Sequence, residues 1–161
     1  MRAETERAID AVRIIPLRRF EDERGWLAEI ARGSQLPKPI RQTNLVWSRR
    51  GTIRALHYHE RGQDDLFVCL QGMIRVVVLD RESGDTFNAD IGDDNFVGIY
   101  IPGTLAHGYE ALTDCLFLYH VTEEYDPADP DEHGVPWDDP RVRHLWSTQS
   151  PILSDRDKNA S

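Results

Sequence analysis

Met73-Ile74-Arg75-Val76-Val77-Val78-Leu79-Asp80 is the stretch that decides the fold. It is rich in β-branched side chains and apolar at consecutive positions, so it reads as a strand buried on both faces, at the heart of a double-layered sheet. Working outward, seven more strand-like runs occupy residues 12–17, 26–30, 40–48, 52–58, 66–70, 95–101 and 115–122. Turn-rich pieces separate them, among them Glu23-Arg24-Gly25, Arg49-Arg50-Gly51, Arg61-Gly62 and Gly92-Asp93-Asp94. Many short strands with regular turn signals predict an all-β sandwich or barrel. The pattern fits a cupin-type jelly roll, a double-stranded β-helix, in a single domain over 1–161. The first ten residues read as a helical turn or a disordered arm, and residues 126–139, rich in Asp and Pro, as an ordered loop.

Upstream of the central run lies Gly51-Thr52-Ile53-Arg54-Ala55-Leu56-His57-Tyr58-His59. Side chains alternate with period two along a strand, so His57 and His59 point the same way. Downstream, Ile101-Pro102-Gly103-Thr104-Leu105-Ala106-His107-Gly108 brings in a third histidine. Imidazoles gathered inside a small barrel point to chemistry or to a metal. The formal net charge of −9 argues against nucleic acid or an anionic membrane as partner, while a few converging arginines still suffice for a phosphate-bearing small molecule. Cys69 and Cys115 sit in apolar runs and read as buried free thiols. No apolar run approaches the ~18 residues of a spanning helix, and no signal-peptide core stands at the N-terminus, so a cytoplasmic protein is expected.

Several pieces, in collinear order, together resemble the dTDP-4-dehydrorhamnose 3,5-epimerase family. They are Phe20-Glu21-Asp22-Glu23-Arg24-Gly25 with Glu29, Arg41-Gln42-Thr43-Asn44, Arg54-Ala55-Leu56-His57-Tyr58, Gln63, Gly72, Ala106-His107-Gly108-Tyr109, Tyr119 with Tyr125, Trp137-Asp138-Asp139-Pro140, and Leu153-Ser154-Asp155-Arg156-Asp157. The resemblance implies a jelly-roll isomerase that works as a homodimer, with an N-terminal strand crossing to the partner and Arg24 near the partner's pocket. It implies a nucleotide-sugar substrate with a 4-keto-6-deoxy sugar, epimerised by proton abstraction next to the keto group, without a cofactor. Residue by residue, His57 matches the catalytic base and Asp157 the acid that holds it as a dyad, with Asp155 as a competitor for that place. Tyr119 matches the proton donor on the opposite face. Arg24 and Arg54 match phosphate-binding arginines, Tyr125 an aromatic that stacks on the nucleotide base, and Gln42, Asn44, Gln63 and His107 polar positions of the pocket. Glu29, His59 and Asp65 complete the expected substrate-binding set.

Two departures matter. Asp65 stands where the family has a lysine expected to stabilise the enolate, and His59 stands where many members carry another polar residue. Together they approach the spacing of metal-binding cupins: Gly51, five residues, His57, one residue, His59, then Asp65 six residues before Gly72, and later Pro102 with His107. Three histidines and a carboxylate suit Zn, Fe, Mn or Ni. An alternative reading is therefore a metal-dependent cupin enzyme holding a divalent transition metal through His57, His59, His107 and Asp65, or Gln63 in its place. Another is a sugar-nucleotide-binding cupin without turnover.

Overall fold

The computed structural model describes residues 6–160. In chain order the strands are β1 (Arg13–Pro16), β2 (Arg19–Asp22), β3 (Gly25–Ala28), β4 (Gln42–Ser48), β5 (Ile53–Tyr58), β6 (Asp65–Gln71), β7 (Met73–Leu79), β8 (Thr86–Gly92), β9 (Val97–Ile101), β10 (Ala106–Ala111), β11 (Cys115–Val121) and β12 (His133–Gly134). One short helix, α1 (Asp155–Lys158), follows near the end. Two five-stranded antiparallel sheets, β1-β9-β6-β11-β4 and β12-β5-β10-β7-β8, face each other, and β2 and β3 form a separate hairpin. This is the jelly roll expected from the strand pattern. The first residues form a 3₁₀ turn at Ala8–Ala11, and residues 1–5 of the expected helical turn or arm lie outside the described residues.

β7 behaves as its composition predicts. Ile74, Val76 and Val78 enter the core between the sheets, with Phe67, Ile99 and Phe117. Val77 and Leu79 face the other way, where the C-terminal segment covers the sheet with Val135, Val142 and Trp146. Each such fully buried aliphatic side chain stabilises the fold by about 1.5–3 kcal/mol relative to exposure.

Four strands escape a sequence reading. β10 contains His107, Gly108 and Glu110, which argue against a central strand, yet every residue of it is buried between β5 and β7. Tertiary packing overrides propensity here. Gly108 is required by the close approach of β5: a Cβ there would overlap Ala55 and the Arg54 carbonyl oxygen. At the same place the register slips. His107 lies opposite His57 and Tyr109 opposite Arg54, so two steps on β10 match three on β5. This bulge turns Arg54 and His57, three residues apart, toward one cavity. β2, β8 and β12 are short or polar strands whose pairing, not composition, defines them. The stretch around residues 12–17 pairs, as β1, with β9 of its own chain.

Candidate active site

Between the sheets opens a cavity of about 740 Å³. β5 and the turn after it supply Arg54, His57 and His59, and β10 supplies His107 from the same sheet. The opposing sheet supplies Gln42 and Asn44 from β4, Asp65 from β6 and Tyr119 from β11. Outside the β5–β10 bulge, period two decides the direction. Gln63 and Asp65 line the cavity while Asp64 turns away. Asp64 instead accepts hydrogen bonds from the Tyr100 hydroxyl at 2.7 Å and the Gly103 amide at 3.0 Å, pinning the turn that leads to His107. Gly103 is needed for that contact, since a Cβ would overlap the Gln63 carbonyl oxygen.

His57 and Asp157 meet at 2.7 Å, Nε2 to Oδ1. Asp157 lies in α1, which Ser154 caps by accepting the Asp157 N–H at its hydroxyl, 3.1 Å away. The carboxylate is 5 % exposed. Burial pushes its pKa up, but the hydrogen bond and charge of His57 together with Arg156 pull it below the ordinary carboxylate value. An ionised carboxylate only accepts, so the facing ring nitrogen carries the proton and leaves Nδ1 with a lone pair. Arg156 Nη2 stands 3.1 Å from the same Nε2, where a protonated nitrogen offers it nothing to bond. Arg156 is held instead by Glu132 at 2.6 Å. Asp155, the competitor for the dyad, is exposed and does not line the cavity.

Tyr119 projects from β11, stacked at 16° on Phe117 and paired in register with Asn44. Burial, reinforced by the Asp65 charge, raises its pKa, so the phenol keeps its proton near neutrality. Gln42 donates to Asn44 at 3.0 Å and accepts the Tyr125 N–H at 2.8 Å, which holds Tyr125 half-exposed on the cavity lining. Arg54 Nε donates to the Ser48 hydroxyl at 3.0 Å.

The second group of acidic and basic side chains is His59, Asp65 and His107, all buried, with one potential ligand atom from each within 4.8 Å of the others. His107 Nε2 lies 3.2 Å from one Asp65 oxygen and His59 Nε2 lies 3.6 Å from the other. Burial lowers the pKa of His59. Burial also opposes charge on Asp65 and His107, but each holds the other's charged form: the carboxylate is lowered and the imidazole raised.

Two expectations, for His57 and Glu29, need correction within the single chain. His57 does not belong to the candidate metal set, because its Nε2 is taken by Asp157 and it falls outside the His59–Asp65–His107 group. Arg24, expected near a partner's pocket, lies outside its own chain's cavity, 86 % exposed on the β2–β3 hairpin and paired with Asp22 at 2.6 Å. Glu29, just past that hairpin, also stays outside the cavity and pairs with Arg32. Sequence reasoning missed Arg156, which lines the cavity from the single-turn helix α1, and Asp131 and Glu132, which line it from the loop before β12. No periodicity marks such positions.

A jelly roll with a histidine–aspartate dyad on one wall and a protonated tyrosine on the other is built for acid–base isomerisation. The family model described as dTDP-4-dehydrorhamnose 3,5-epimerase matches residues 6–161. The chain is 36 % identical over 149 residues to the spore coat polysaccharide biosynthesis protein SpsL of Bacillus subtilis, covering 88 % of this chain and 98 % of that one. It is 34 % identical over 167 residues to a dTDP-4-dehydrorhamnose 3,5-epimerase of Methanothermobacter thermautotrophicus, covering 94 % and 89 %. Among solved structures, NovW, a 4-keto-6-deoxy sugar epimerase of Streptomyces spheroides, superposes with a TM-score of 0.84 at 29 % identity, covering 96 % of this chain and 84 % of that one. The chain belongs to the dTDP-4-dehydrorhamnose 3,5-epimerase family and is an isomerase.

Proposed function

We propose that this protein epimerises a 4-keto-6-deoxy sugar carried on a nucleoside diphosphate. The observation that carries the reading is the His57–Asp157 pair at 2.7 Å facing the same cavity as Tyr119, which comes from the opposite sheet. His57 Nδ1 removes the proton from the carbon next to the keto group. The electron pair moves to the keto oxygen as an enolate, and Asp157 stabilises the imidazolium. Tyr119 returns a proton to that carbon from the other wall, which inverts the centre. Gln42, Asn44, Gln63, His59, Asp65 and His107 orient the sugar, Arg54 meets the diphosphate, and Tyr125 packs against the base at the mouth. Neither proton transfer calls for a cofactor. NovW and the ChmJ monoepimerase, solved with dTDP-quinovose, support the substrate class.

The reading includes a homodimer. The β2–β3 hairpin presents Phe20, Trp26 and Leu27 to solvent, and β4 presents Leu45 and Trp47, a large apolar surface for one chain. A hairpin reaching a second copy would bring Arg24 and Glu29 to the partner's cavity. The reading also places the enzyme in the cytoplasm, where the free thiols Cys69 and Cys115 stay reduced.

The test is turnover of a dTDP-4-keto-6-deoxyhexose in deuterated water, followed by proton NMR. Deuterium should enter next to the keto group and a new diastereomer should form. His57→Ala should abolish both. Absence of exchange with wild-type protein over hours at micromolar enzyme overturns the reading.

A further inference from the structure

We propose that His59, Asp65 and His107 form a binding site for one divalent transition-metal ion of the class that takes nitrogen and oxygen ligands, such as Zn, Co, Mn, Fe or Ni. This site is separate from the His57–Asp157 dyad, and its occupancy does not depend on the epimerase reading.

The geometry of the two imidazoles carries the proposal. His59 Nδ1 lies 2.7 Å from the Asp131 carbonyl oxygen, and His107 Nδ1 lies 2.7 Å from the Leu105 carbonyl oxygen. A backbone carbonyl only accepts, so both Nδ1 atoms carry protons and donate. Both Nε2 atoms are therefore the lone-pair atoms of the neutral rings, and both face Asp65. Anchoring the far nitrogen on a carbonyl is how metal-ligating histidines are held. All three side chains are buried, at 5 %, 4 % and 2 % exposure for His59, Asp65 and His107.

The separations suit a metal. With bonds of about 2.1 Å, adjacent ligand atoms lie about 3.0 Å apart in octahedral and about 3.4 Å in tetrahedral geometry. His107 Nε2 lies 3.2 Å from Asp65 Oδ2 and His59 Nε2 lies 3.6 Å from Asp65 Oδ1, so the two imidazoles meet the two oxygens of one carboxylate, and one ligand atom from each of the three side chains lies within 4.8 Å of the others. Two imidazoles and one carboxylate with the remaining positions open to a cavity is a metal-binding donor set.

Gln63 shows how the cluster closes without a metal. Its amide nitrogen lies 3.2 Å from His59 Nε2 and 3.0 Å from Asp65 Oδ1, donating to both, and one proton on His107 bridges to the other carboxylate oxygen. A divalent ion replaces that proton and that amide together, and a half-turn of the Gln63 amide presents its oxygen as a fourth ligand. The metal-loaded cluster carries a net charge of +1 where the proton-closed one is neutral.

The test uses the full chain, purified without chelator and with any affinity tag removed. Elemental analysis should find close to one equivalent of transition metal per chain. Protein stripped by dialysis against EDTA should regain a melting temperature several degrees higher on titration with Zn(II) or Co(II), by ligand linkage. The cobalt form should show visible d–d bands without a sulfur charge-transfer band. His59→Gln and Asp65→Asn should each weaken binding at least tenfold, while His144→Ala should not. Less than a tenth of an equivalent of metal as purified, with no melting shift from Zn, Co, Mn, Fe or Ni, overturns the proposal. So does binding that persists unchanged in both cluster variants. If either variant fails to fold, the wild-type metal content and titrations still decide.

Discussion

Asp157→Asn removes the negative charge from beside His57 while keeping the side chain's shape. At 2.7 Å and an effective dielectric near 20, the carboxylate contributes about 6 kcal/mol of gross attraction to the imidazolium formed when His57 takes its proton. Proton transfer is partial in the transition state, so about half of that, near 3 kcal/mol, should appear in the barrier, or about two decades in rate. A second loss adds to it. The asparagine amide can donate to Nε2, which shifts the ring proton to Nδ1 and leaves no base facing the substrate; Arg156, 3.1 Å from Nε2, favours the same unprotonated Nε2. Solvent-deuterium exchange should therefore fall by two to four decades. KM should change less than threefold, because the Asp157 side chain, 5 % exposed, is engaged with His57 and the Ala55 backbone and acts on the substrate through His57. Single-turnover wash-in from deuterated water, followed by NMR, measures the exchange rate directly. A variant that exchanges within threefold of wild type would refute the dyad.

Tyr119→Phe should keep proton abstraction within about tenfold while lowering net epimer formation more than a hundredfold, because only the acid on the second wall is lost; parallel loss of exchange and turnover contradicts this division. Asp157 also sets a pH dependence. Its folded pKa lies below the unfolded value of about 3.9, so its contribution is fully present above that pH and is lost as pH falls through the folded pKa. Urea melts at pH 5, 4 and 3 should show wild type losing more stability over this interval than Asp157→Asn, and equal losses would contradict it. Gly103→Ala should lower stability by about 1–3 kcal/mol and displace the His59–Gln63 turn, since the new methyl overlaps the Gln63 carbonyl; a melting temperature unchanged within a degree would show that the turn yields freely.

The central strand was legible because β7 is apolar on both faces, and both faces are covered. The parity of His57 and His59 was legible because period two survives from β5 into the following turn. The bulge between β5 and β10 was not. It depends on Gly108 nestling against Ala55, a long-range contact that local pattern does not encode. Counting spacings alone therefore placed His57 with His59 and His107 as a metal ligand, whereas the fold gives its Nε2 to Asp157, a hundred residues further along the chain. Asp157 itself was visible only through family resemblance, since a carboxylate in a polar tail carries no periodic signal. Arg24 and Glu29 illustrate the opposite limit: in the single chain Arg24 sits on the exposed β2–β3 hairpin and Glu29 just past it, both outside the cavity to which the resemblance assigns such residues.

The carboxylate at position 65 constrains any chemistry in this cavity. A bare negative charge about 4 Å from a developing enolate oxygen would oppose the reaction by about 4 kcal/mol at an effective dielectric near 20, roughly three decades in rate. The structure does not leave that charge bare. His107, fully enclosed, is nevertheless biased toward its protonated form by Asp65, and Gln63 spends its amide donor on the same carboxylate. The pair cancels, so in the proton-closed state Asp65 does not act on the enolate as a bare charge, and the Tyr119 hydroxyl keeps its proton on the opposite wall. Asp65→Asn tests this balance. It removes the partner that holds the proton on His107, so the imidazole should become neutral and the net charge at the cavity floor should stay near zero. Exchange in metal-stripped protein should then change by less than tenfold. A gain approaching three decades would mean that the Asp65 charge reaches the reacting oxygen uncompensated, and that His107 does not carry the balancing proton.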